Sequence, residues 1–188
     1  MERVSRGHRS PERDSPLMPR FVAFLRGVMP TNAKMPELRA AFEATGFTKV
    51  KTVLGSGNVV FDTPLKSEAE IERRAEAAMT KTLGRSFYTI VRPAAYLMDL
   101  VASDPYSEHG VPAGAKRVVS FMRDARTPKV PLPLAEHDAS VFLVSGREAY
   151  TAYLPTAKGP VFMTLIERAF GTDVTTRTLA TVAKCASA

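Results

Sequence analysis

The hydrophobic pattern of the first half of the chain predicts six short elements. Apolar, β-branched and aromatic runs are typical of buried strands, whereas apolar residues spaced three and four apart mark one face of a helix. The predicted strands are 20–27, 49–53, 58–62 and 86–92, and the predicted helices are 34–46 and a segment from Ser67 to Gly84. The order strand-helix-strand-strand-helix-strand is that of a ferredoxin-like unit.

Both predicted helices carry end signals. Pro36 suits the first turn of one helix, where its missing N–H has no partner to lose, and Gly46 suits the C-terminal cap. Ser67 and Glu70 form a capping-box pair before the other helix, which ends at Gly84. The end signals therefore agree with the helix bounds that the apolar spacing predicts.

The second half has a looser pattern, and the fold class predicted for the whole chain is α+β. Its predicted elements are a helix opening at Pro93, a strand at 116–122, a proline-rich connection at 126–138, a hairpin turning at Ser145-Gly146, and a helix at 160–171. Thr175 and Thr176, followed by Arg177, are expected to open a last helix, because threonine caps helix N-termini.

The predicted organisation has three parts. Residues 1–17 are polar, contain proline and lack hydrophobic periodicity, so we expect a disordered extension. Residues 18–92 form the ferredoxin-like half and residues 93–188 the second, looser α+β half. The two halves are expected to pack as one compact unit.

Strand alternation predicts that both faces of the first sheet are covered. Val22 and Phe24 point away from Phe21 on the first strand, and Asn58 points away from Val59 on the third. Because large apolar side chains lie on both faces, the second half is expected to pack on the face that an RNA-recognition motif leaves open. Asn58 is then a candidate polar group at the seam between the halves.

The stretch LGSGNVVF (54–61) resembles a phosphate-binding loop only superficially. Its glycines lead into a strand and no lysine follows, so it is not a Walker loop, and the third glycine of a dinucleotide fingerprint is missing. It fits the frame of an RNA-recognition motif, but Ser56 and Asn58 occupy the positions where aromatic rings would stack bases. Gly55 and Gly57 are therefore interpreted as structural, letting the backbone bend into the strand.

Three stretches together are similar to a widespread bacterial family, domain of unknown function 1697. They are FVAFLRGV, KMPELRAAFEATGFTKVKTVLGSGNVVF and GTDVTTRTLATVAK, and the similarity runs from about residue 20 to the end. The resemblance implies two ferredoxin-like or related α+β halves and no established activity. The chain departs from the family pattern at VMPTNA (28–33), where the family has INVGG, and at Thr178-Leu179, where it has Asn-Trp.

Charge and cysteine content bear on partners and compartment. The formal net charge is +7 and the isoelectric point about 9.8, which favours an anionic partner. The single cysteine, Cys185, has no internal partner for a disulfide, so a reducing cytoplasm is expected. No apolar run approaches the ~20 residues that span a bilayer, so no membrane partner is expected.

No catalytic constellation stands out, and the sequence leaves the catalytic residues unknown. The histidines His8, His109 and His137 lack ligand spacing and are interpreted as surface residues, so neither a metal nor another cofactor is expected. No G-x-S-x-G elbow occurs. Asp104, with Glu108 and His109 in the same loop, is mainly a turn signal.

The candidate ligand-binding residues are polar groups expected near helix N-termini and strand ends. They are Arg26, Lys34, Asn58, Lys158, Gly159, Thr176 and Arg177. Free N–H groups and added cations at helix N-termini form anion sites. In the alternative interpretation, which the sequence favours slightly, the threonines are caps and the arginines pair with carboxylates across the seam.

Three functions follow as hypotheses. The first is a binding protein for an anionic ligand, a nucleotide or nucleic acid, at a cleft between the two halves. The second is an enzyme acting on a small phosphorylated or carboxylated substrate in the same cleft. The third is a self-association protein in which exposed sheet edges pair between copies, giving a homo-oligomer.

Overall fold

The computed structural model describes residues 18–156 and 159–188, which form an α+β fold with two antiparallel sheets. The elements are β1 (Arg20–Leu25), α1 (Met35–Glu43), β2 (Thr48–Thr52), β3 (Asn58–Asp62), α2 (Glu68–Leu83), β4 (Thr89–Pro93), α3 (Ala94–Ala102), β5 (Lys116–Phe121), β6 (Leu134–Glu136), β7 (Ala139–Ser145), β8 (Glu148–Tyr153), α4 (Val161–Phe170), β9 (Thr175–Thr178) and α5 (Leu179–Ala186). The α+β prediction is confirmed. The extension predicted at 1–17 lies outside the described residues.

The first sheet has the strand order β2-β3-β1-β4, and neighbouring strands are antiparallel. The predicted element order is observed, and β3 has its predicted bounds. The predicted caps of α2 are also observed: the Ser67 side chain accepts a hydrogen bond from Glu70 N, and Gly84 adopts the left-handed conformation after the last turn. Local signals therefore determine most of this half.

The second sheet has the order β6-β7-β8-β5-β9 and is also antiparallel. β9 corrects the expectation that Thr175, Thr176 and Arg177 open the last helix, because these residues pair with β5. The cap is Thr178, whose side chain accepts from Thr181 N. β-branched threonines suit a strand, and here strand pairing satisfies their backbone before α5 begins.

Both faces of the first sheet are buried, as predicted. Phe21 and Phe61 belong to the core beneath α1 and α2, whereas Phe24 belongs to a second core shared with α3, α5 and the second sheet. The ring of Phe24 stacks on that of Phe121 from β5, with centroids 4.5 Å apart. The surface that an RNA-recognition motif would offer to bases is therefore occupied by protein. A third core lies between the second sheet and α4.

Gly57 is required by its backbone conformation and by its close approach to the loop after β1. Its φ is +74°, and a Cβ at this position would lie 2.8 Å from the Cβ of Val28. Gly55 has neither constraint, since a Cβ there would meet nothing within 4 Å and its φ lies outside the left-handed region. Of the two glycines, Gly57 is the one that the structure requires, because it allows the start of β3 to lie beside the end of β1.

We expect Gly57→Ala to lower the free energy of unfolding by about 1–3 kcal/mol, because it forces a left-handed residue against Val28. Gly55→Ala is the matched control and should change stability by less than about 0.5 kcal/mol. Urea denaturation followed by circular dichroism measures both. Equal effects of the two substitutions would contradict this account.

Candidate functional site

The guanidinium of Arg177 joins β9 to the ends of β1 and β3. Arg177 is the third residue of β9, where its strand partner is Val119 of β5. Its six hydrogen bonds are Nε to Asn58 Oδ1 (2.5 Å), Nη1 to Thr175 Oγ1 (2.9 Å) and Thr176 O (2.8 Å), and Nη2 to the carbonyls of Leu25 (2.8 Å), Ser56 (3.0 Å) and Gly57 (3.3 Å). Every guanidinium nitrogen is therefore engaged.

The charge of Arg177 has no carboxylate partner among the described residues. Its hydrogen-bond acceptors are neutral, and its guanidinium carbon lies 5.5 Å from the centroid of the Phe24 ring. Burial lowers the pKa of Arg177 to about 10, so the side chain stays protonated at neutral pH. The prediction that arginines at the seam pair with carboxylates is wrong at this position.

A cleft of about 610 Å³ opens beside this arginine, and we call it the seam cleft. Its lining residues are Arg26, Gly27, Ser86, Phe87, Tyr88, Met163, Val174, Thr175, Thr176 and Arg177. The side chain of Arg26 is 41% exposed and lies 3.6 Å from Glu167 of α4, which is equally exposed. Hydroxyl groups of Ser86, Tyr88 and Thr176 add hydrogen-bonding capacity.

The structure brings together part of the predicted set. Arg26, Thr176 and Arg177 line the seam cleft, and Asn58 lies behind it as an acceptor for Arg177. Lys34, at the N-cap position of α1, and Gly159, before α4, are not among the lining residues. Lys158 lies outside the described residues. Thr176 and Arg177 reach the cleft from a strand, so the helix N-terminus argument does not apply to them.

A row of carboxylates along α2 was not predicted from the sequence. The Glu72 carboxylate accepts from Val91 N and the Glu76 carboxylate from Thr89 N, both at 2.9 Å. These N–H groups lie on the free edge of β4, so side chains replace a neighbouring strand there. The sequence does contain a signal for this row, because the glutamates at 68, 72 and 76 are four positions apart and share one helix face.

Three arginines complete this network between the two sheets. Arg92 is wholly buried and donates to Glu148 Oε1 at 2.7 Å and to the carbonyl of Met122 at 2.5 Å. Arg147 binds Glu68 at 2.6 Å, and Arg123 pairs with Glu72 at 3.1 Å and also with Glu76. Burial raises the pKa of Glu72, and the nearby arginines oppose that shift.

The described residues, 18–156 and 159–188, contain no metal-ligating cluster, one buried thiol and no membrane-spanning helix. No group of three or more histidine, cysteine, aspartate or glutamate side chains is placed to bind a metal ion. Cys185 is completely buried, and burial raises the pKa of its thiol to about 11. No helix in these ranges is both long and apolar enough to cross a bilayer.

Comparison with known proteins gives a family and a fold. A family model described as "Protein of unknown function (DUF1697)" matches residues 18–150. The structure of the conserved bacterial protein SP0830 from Streptococcus pneumoniae is similar, with a TM-score of 0.64 and 17% identity over 90% of this chain and 97% of that one. At this identity the likeness shows the fold alone. No curated protein matches the sequence.

We expect Arg92→Met to destabilise the protein by about 3–5 kcal/mol, because it leaves the buried Glu148 carboxylate without its cation. Arg74→Met is the control, since it removes an exposed pair within α2 worth about 0.3–0.5 kcal/mol. Urea denaturation measures both, and Arg92→Met combined with Glu148→Gln should recover part of the loss. If Arg92→Met lowered the free energy of unfolding no more than Arg74→Met does, Arg92 would not be the essential partner of the buried Glu148 carboxylate.

Cys185 gives a prediction for alkaline pH. The pKa of its thiol is about 11 in the folded protein against an ordinary value of 9.0, so the folded state binds more protons between these values. Stability that is present below pH 9 should fall as the pH rises toward 11. Cys185→Ala should reduce the slope of stability against pH in this window, measured by urea denaturation at each pH. An unchanged slope would contradict the prediction.

Proposed function

The chain belongs to the family described as "Protein of unknown function (DUF1697)", a description that states no activity, and we propose from the geometry of the seam cleft that it is a binding protein for a small anionic ligand. The ligand class that fits best is a phosphate-bearing molecule of the size of a mononucleotide. The observation that carries the proposal is the partly buried Arg177, whose positive charge has no carboxylate partner among the described residues and lies in the wall of the cleft.

Electrostatics favour an anion in this cleft. Inside a protein the lower effective dielectric strengthens charge interactions, so an uncompensated guanidinium in the wall raises the local positive potential. Arg26 can contact the ligand directly, because it is partly exposed and its link to Glu167 is 3.6 Å long. Arg177 contributes its field rather than direct contacts, since its donors are already engaged.

Size and lining agree with a small ligand. The volume of about 610 Å³ lies within the ~300–1,000 Å³ typical of small-molecule sites. Ser86 and Thr176 offer hydroxyl groups, and Tyr88 offers a ring together with a hydroxyl. A nucleic-acid chain is a poorer fit, because the sheet face that would stack bases is buried in the protein core.

Binding is favoured over the two alternative functions. The residues that line the seam cleft include no histidine, cysteine, lysine or carboxylate, so the lining offers no nucleophile with an adjacent general base. Self-association through the edges of the first sheet is opposed at β4 by the carboxylates of α2. It is opposed at β2 by Lys49, Lys51 and an irregular register, which are features that protect edges from pairing.

Substitution of Arg26 tests the proposed anion binding. With AMP and inorganic phosphate as probes in isothermal titration calorimetry, Arg26→Ala should weaken AMP binding by about 10- to 100-fold, the effect of removing a charge-assisted contact worth ~1.5–3 kcal/mol. Glu167→Gln should strengthen binding, because it frees Arg26. Arg39→Ala, which removes the same charge from the surface of α1, is the matched control and should change the affinity less than about twofold.

The salt dependence tests whether the attraction is electrostatic. Binding of AMP should weaken as salt rises, since charges are screened. Absence of binding by the unmodified protein at millimolar AMP and phosphate, or equal effects of Arg26→Ala and Arg39→Ala, would overturn the proposal.

A further inference from the structure

A second cleft lies in the second sheet, away from the seam. Its volume is about 360 Å³, and we call it the histidine cleft. Its polar lining residues are His109, His137, Asp138, Ser140 and Tyr153, and its apolar ones include Val111, Phe142, Ala152 and Leu154. An apolar pocket with a few converging polar groups is the usual form of a small-molecule site.

The two histidines come from separate connections that meet here. His109 lies in the loop between α3 and β5, and His137 lies in the two-residue turn between β6 and β7, where Glu136 pairs with Ala139. His137 has a φ of +52°, which the tight turn imposes. Twenty-eight positions separate them in sequence, so ligand spacing could not have revealed the pair.

Phe142 provides a fixed aromatic wall. The centroid of its ring lies 4.6 Å from that of His109 at an interplanar angle of 34°. Tyr106 forms a T-shaped pair with Phe142, with centroids 5.5 Å apart, and the buried Tyr106 hydroxyl donates to the carbonyl of Val118 at 2.6 Å. Because Tyr106 is anchored, the position of Phe142 is set before any ligand arrives.

The charge of the histidine cleft is opposite to that of the seam cleft. In a protein of net charge +7, no arginine or lysine is among its lining residues, and Asp138 is the one carboxylate there. The neighbouring Glu136 is held by Arg168 at 3.3 Å. The Asp138 carboxylate forms no ion pair with another described residue, so it remains available to a ligand.

We infer that the histidine cleft binds a small planar aromatic cation. The Asp138 carboxylate would accept hydrogen bonds from the cationic group. The packed rings of Phe142 and His109, which both line the cleft, would contact the flat body of the ligand, since aromatic rings attract both rings and cations. The imidazoles of His109 and His137 would form further hydrogen bonds with the ligand. This site is independent of the proposed function of the seam cleft.

Three probes of one shape and different charge test the inference: benzamidine, benzamide and benzoate. In two-dimensional 1H–15N NMR titrations of the full chain, benzamidine should shift amide signals of the 109–115 loop and the 137–142 segment. It should bind more tightly than benzamide, and benzoate should not bind there. Asp138→Asn should weaken benzamidine binding about two- to fivefold while leaving benzamide unchanged, as expected for loss of one exposed ion pair.

Asp99→Asn is the matched control, because it removes the same charge from the exposed face of α3. It should leave benzamidine binding unchanged, and signals outside the cleft will show that both variants are folded. The inference is overturned if benzamidine causes no shifts at about 10 mM, a concentration that detects even millimolar affinity. It is also overturned if benzoate binds the cleft as well as benzamidine does, or if Asp138→Asn and Asp99→Asn have the same effect.

Discussion

The guanidinium of Arg177 is the interaction on which the seam depends. Its partners are separated from it by up to 152 positions in sequence, and they belong to β9 itself, the end of β1 and the turn before β3. One planar group with five N–H donors can satisfy carbonyls that point toward it from several directions, which lysine could not do in the same geometry. The turn at Gly57 serves the same arrangement, because its carbonyl accepts from Arg177 and also from Leu25 N, the latter at 2.9 Å.

A second polar layer joins the two sheets along the free edge of β4. There each arginine has carboxylate partners: Arg92, Arg123 and Arg147 meet the α2 carboxylates and Glu148. The carboxylates also take the N–H groups that β4 would otherwise present to another strand. The first sheet therefore ends at β4 without a neighbour, and the edge is closed by the same groups that fasten it to the second half.

Local signals in the sequence were sufficient for the first half and insufficient for the site. Caps and periodicity place α2 and β3 correctly because these features depend on residues within four positions of each other. β6 was missed because it has three residues inside a proline-rich connection, and β9 was taken for a helix start because threonine suits both states. The acceptors of Arg177 are mostly backbone carbonyls, and residue identity carries no information about where a carbonyl will point. His109 and His137 likewise meet only through the tertiary fold.

The contrast between the two polar layers bears on function. Removing a charge from water is costly, and the network at β4 offsets that cost with carboxylates. Arg177 is offset only by neutral acceptors and by the ring of Phe24. Its guanidinium places a positive charge in the wall of a cleft that Arg26 also lines. The anion that we propose for this cleft would supply from outside the countercharge that the arginines at β4 receive from carboxylates inside the protein.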